Sequence, residues 1–63
     1  MNKPKCKLVG QDGNVFNLIG IAQRVLKENG QREQAHELSK RIMTTAKSYD
    51  EALQIIMEYV EVY

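Results

Sequence analysis

The sequence predicts a small, mostly helical α+β domain: a short N-terminal strand, three helices, and a C-terminal strand able to pair with the first. Three observations carry this. Three segments repeat apolar residues at helical spacing. Asn14, Gly30 and Ser48 punctuate them as a cap, a stop and a cap. The two ends, Lys5–Val9 and Val60–Tyr63, alternate polar and apolar residues as half-buried strands do. All 63 residues are expected to form a single domain. A chain of this size buries only about 60% of the surface its unfolded form exposes, so its stability rests on few contacts.

The first strand reads Lys5-Cys6-Lys7-Leu8-Val9 and meets the turn Gly10-Gln11-Asp12-Gly13-Asn14. Asn14 is placed to cap a first helix over Val15–Asn29, and Gly30 to end it in the left-handed conformation. Val15, Leu18, Ile19, Ala22, Val25 and Leu26 share one face of that helix, which Ile21 widens. Gly20 lies inside the helix one turn after Phe16, at a cost of roughly 1 kcal/mol against alanine. Close approach of another element over Phe16 and Gly20 is the expected reason.

A second helix over Arg32–Ala46 has a narrow stripe of Ala35, Leu38, Ile42 and Ala46, with Met43 at its flank. It is expected at the periphery. A third helix opens on Ser48-Tyr49-Asp50-Glu51, where Ser48 and Glu51 have capping-box spacing and Asp50 and Glu51 suit the positive end of the helix dipole. Its apolar residues Tyr49, Ala52, Leu53, Ile55, Ile56, Met57, Tyr59 and Val60 span an arc of roughly 200°, about twice what a simple surface helix needs. The β-prone tail Val60-Glu61-Val62-Tyr63 would bring Glu61 near Lys5 or Lys7. One chain reversal per helix makes that pair antiparallel.

Lys7-Leu8-Val9-Gly10, Asp12-Gly13-Asn14, Phe16-Asn17-Leu18-Ile19-Gly20, Ser48-Tyr49-Asp50 and Tyr59-Val60-Glu61-Val62 together resemble a family of small proteins found in bacteria and in their phages or integrated elements. The likeness runs from about Lys7 to Val62 and is looser in the middle helix, where Leu38 stands at an aromatic position and Ala46-Lys47-Ser48 replaces a Ser-Gly pair. It implies an intracellular bacterial or phage setting. No activity is established for the family, so the resemblance supplies no catalytic residue.

The residues themselves offer little chemistry. Cys6 and His36 are the sole cysteine and histidine, thirty positions apart. A nucleophile–base pair would need both brought together and a third group to orient the base. His36 falls beside Arg32 and Lys40 on a solvated flank, and two soft ligands cannot close a zinc site. The Gly10–Asn14 turn lacks the spacing of a phosphate-binding loop, and Asp12 and Asn14 lack the rest of a calcium loop. Glu33, Glu37, Glu51 and Glu58 lie on polar helix faces, with Glu37 set four residues before Arg41 as an ordinary helical ion pair. No enzyme, cofactor or metal is expected.

One cysteine means no intrachain disulfide, which suits a reducing cytoplasm. The polar segment Met1–Lys7 precedes no apolar run of signal-peptide length, and the longest apolar run, Ile55–Met57, is far too short to span a bilayer. Lys3, Lys5 and Lys7 recur on one strand face and, with Arg24 and Lys27, would suit a nucleic-acid backbone. A net charge of +1 and the glutamates among the bases of the second helix argue against that role. The surplus apolar arc of the third helix points instead to a protein-interaction module that pairs with itself as a homodimer. The expected interface is Ile55, Met57, Tyr59 and Tyr63, helped by Ile21.

Overall fold

The computed structural model describes residues 3–63. Met1 and Asn2, the start of the polar segment noted above, lie outside the described residues. The element order is β1 (Lys5–Cys6), α1 (Val15–Glu28), α2 (Arg32–Thr45), α3 (Tyr49–Tyr59) and β2 (Glu61–Val62). The strand–three helices–strand class expected from the sequence is the one observed. The molecule measures 28 × 26 × 15 Å, with a two-stranded sheet and three helices around one core.

Local signals set the helix ends. The Asn14 side chain accepts from Phe16 N–H, while Asp12 accepts from Asn14 N–H and holds the turn. At the other end of α1, Gly30 has φ +75° and donates to the Lys27 carbonyl. Gln31 N–H reaches the Leu26 carbonyl at 2.8 Å, completing a Schellman stop. Ser48 accepts from Glu51 N–H as expected. Glu51, however, reaches back to Lys47 N–H, one residue beyond the usual capping-box partner.

The core gathers Cys6 and Leu8 from the N-terminal segment, Leu18, Ile19, Ala22 and Leu26 from α1, and Ala35, Leu38 and Ile42 from α2. Ala52, Ile55, Ile56 and Val60 join from α3 and its end. The narrow stripe of α2 is the buried one, and the rest of that helix is largely outside.

Two expectations fail. The strands pair parallel, with Lys5 opposite Glu61 and Cys6 opposite Val62. Parallel strands need a long crossover, which all three helices provide here. Counting reversals missed the bend at Val60: this residue is extended (φ −135°, ψ 154°) with its side chain in the core. It redirects the chain as α3 ends, without a glycine. Each strand is also only two residues long; beyond Cys6, Leu8 and Val9 both donate to the Tyr63 carbonyl rather than continuing a regular ladder.

The second failure concerns Gly20. Beyond its chain neighbours and its own helix backbone, no described atom lies within 4 Å of where its Cβ would stand, and Phe16 is 67% exposed. Nothing among the described residues uses the space that the glycine leaves.

Candidate functional site

The residues expected to form an interface do not share a surface. Ile55 is in the core and half-buried Ile21 packs against it, so α3 uses that side of its wide arc internally. Tyr59 is half-buried in a polar network. Its hydroxyl donates to Glu37 and accepts from the Arg41 guanidinium, whose carbon stands 5.7 Å from the ring centroid. Arg41 forms a two-pronged contact with Glu58 at 2.7 and 3.2 Å. The expected Glu37–Arg41 pair is therefore replaced by bonds across the α2–α3 seam. The Arg41 contact holds the Glu58 carboxyl below its ordinary range, while burial is the main cause raising the Tyr59 phenol.

Met57 and Tyr63 remain exposed, on the sheet side of the molecule. Lys3, Lys5, Met57, Val60, Glu61 and Val62 line a depression of about 670 Å³ there. A neighbouring one is lined by Lys5, Glu61 and Tyr63. Burial alternates along Lys5–Leu8, with the lysines outside and Cys6 and Leu8 inside. Lys3 donates to the Met57 carbonyl at 2.9 Å, placing a cation at the negative end of α3. Arg24 and Lys27 do not line this face; Lys27 instead shares a depression with Gln23, Arg32 and His36.

A second surface was missed by the sequence reading. Among the described residues six large apolar side chains are exposed, and three of them, Phe16, Met43 and Tyr49, line one groove. The groove holds about 330 Å³ where the start of α1, the end of α2 and the start of α3 converge, floored by Ile19, Ile42 and Ala52. Each rim residue looks ordinary in its own helix. Tyr49 even falls within the apolar arc of α3, but its place in the first turn carries it past the end of the core.

The catalytic candidates stay apart. Cys6 is fully buried, which raises its thiol pKa, whereas His36 is exposed on α2; no hydrogen bond joins them. No group of three or more potential metal ligands occurs among the described residues, and no described helix is long and apolar enough to cross a membrane. Comparison with family models, curated proteins and solved structures gives no match to this chain.

Proposed function

We propose that this chain is a small cytoplasmic interaction module of bacterial or phage origin that pairs with a second copy of itself through the Phe16–Met43–Tyr49 groove. The observation that carries this reading is the convergence of three exposed apolar side chains on one concave site beside an unexplained helix glycine. Phe16 is a protruding ring next to a hollow. In an isologous pair each ring enters the other copy's groove, because a twofold axis makes such contacts reciprocal. Gly20, one turn along α1, leaves room for the partner's backbone or side chain. A net charge of +1 means that two copies repel only weakly. Self-association is also a recurrent way for a domain of this size to gain stability.

Area sets the expected strength. Each rim side chain leaves on the order of 100 Å² outside, so the patch offers roughly 300 Å², comparable with the functional patches of small monomers. Two facing patches bury about 600 Å², short of the 1,200–2,000 Å² typical of stable complexes. The pair is thus weak, and its association is sought at protein concentrations up to several hundred micromolar.

Sedimentation equilibrium up to about 500 μM tests this range. Wild type should pass from monomer to dimer, while Phe16→Glu and Met43→Glu stay monomeric with unchanged helical circular dichroism. A wild type that remains monomeric, or variants that dimerise as well as wild type, would overturn the reading.

A further inference from the structure

The outer face of the two-stranded sheet carries a different chemistry from the groove. It presents Lys3, Lys5 and the exposed Lys7 against Glu61, with Glu58 near enough to feel the Lys3 charge, and adds the exposed ring of Tyr63 and the exposed thioether of Met57. A lysine-studded edge by itself is a common guard against strand aggregation. That role accounts for the charges but not for an aromatic ring and a methionine left outside among them.

We propose that this face binds single-stranded nucleic acid, the lysines meeting phosphates and Tyr63 stacking on a base. The lysines are placed for it: Lys3 and Lys5 line one depression of this face, and Lys7 stands exposed two residues beyond Lys5 on the same side of the alternating Lys5–Leu8 segment. Lys3, although it donates to the Met57 carbonyl, keeps its charge and two further N–H donors for an anion. Lys5 faces Glu61 across the ladder, which offsets part of its charge and keeps the site weak. A ring among cations is the combination by which proteins hold single strands with little sequence preference, because every base offers a π-face. Duplex bases are stacked away from such a ring, so single strands are preferred.

This site is separate from the groove, and its test leaves self-association out of account. Fluorescence anisotropy with fluorescein-labelled twelve-residue oligothymidylate and oligouridylate, starting near 50 mM salt, reads binding directly. Three phosphate contacts predict a slope of log K against log salt of about −2. Lys5→Gln with Lys7→Gln should bring it to about −0.7. Tyr63→Ala should weaken binding by about tenfold or more, while Tyr63→Phe keeps the stacking face and the affinity. Phe16→Glu should bind like wild type. Absence of binding near 50 mM salt, or indifference to the lysine and Tyr63 substitutions, overturns the proposal. Equal affinity for a polyglutamate peptide would also do so, by assigning the face to acidic polypeptides.

Discussion

Two glycines of the same chain have opposite consequences at the scale of single residues. Gly30 has φ +75°, a conformation in which an L side chain is strained, and it closes α1. Gly30→Ala should therefore lower stability by about 1 kcal/mol, measured by urea unfolding. Gly20 lies within α1 with open space around it. Gly20→Ala should raise monomer stability by roughly 0.5–1 kcal/mol in the same assay, run dilute enough to exclude pairing. A loss there would show that the position is strained within one chain and would remove its support for a partner. The sequence made the helical cost of Gly20 visible but not its cause, since a close neighbour and an empty space leave the same local pattern. Cys6 is a third case. Its thiol is fully buried and held in the neutral form by burial, so alkylation in the native state should be limited by opening of the sheet.

Between elements, the α2–α3 seam shows why a side chain's partner is harder to read than a helix end. The Asn14 and Ser48 caps and the Gly30 stop act within a few residues of themselves, and all three are legible in the sequence. Arg41 had a suitable carboxylate at Glu37, four residues back, yet bonds Glu58 seventeen residues on. Helix packing brings Glu58 within reach of both guanidinium prongs, and leaves Glu37 to accept from Tyr59. Tyr59→Phe should cost about 1 kcal/mol, because it removes the hydroxyl from both partners. Its pH signature follows from linkage. A phenol whose folded pKa is raised keeps its proton longer folded than unfolded, so its contribution is lost as pH rises from about 10 through the folded value. Cys6 adds its own alkaline loss, so the Tyr59 part is the difference between wild-type and Tyr59→Phe melts. Glu58 has the opposite sign. Its folded pKa is lowered, so its contribution is present above about 4.3 and disappears as pH falls through the folded value. Glu58→Gln should flatten that acid limb; an unchanged limb would mean that the exposed pair adds nothing.

At the scale of the whole molecule, the core residues were legible and their three-dimensional consequences only in part. Periodicity identified the buried stripes of all three helices, because each stripe is a property of one segment. Strand direction and the groove depend on how segments meet. One extended residue, Val60, sets the first against the count of reversals, and three rim residues from separate helices make the second. The wide arc of α3 is explained by the same geometry: one side is core, and its leftover members Tyr49 and Met57 fall to different surfaces. This division makes stability and association inseparable if the groove pairs two copies. A dimer that forms only from folded chains stabilises them by mass action, so the melting temperature depends on protein concentration. For an illustrative dissociation constant of about 50 μM, raising the protein from about 10 to 500 μM adds on the order of 1 kcal/mol per chain. In a domain of this size that amounts to an increase of about 4–8 °C. Met43→Glu exposes no core atom and should hold one melting temperature across the series, as should Phe16→Glu. Lys5→Gln, on the opposite chemistry of the sheet face, should keep the wild-type concentration dependence. If all four proteins melt independently of concentration, the groove is not a contact between copies.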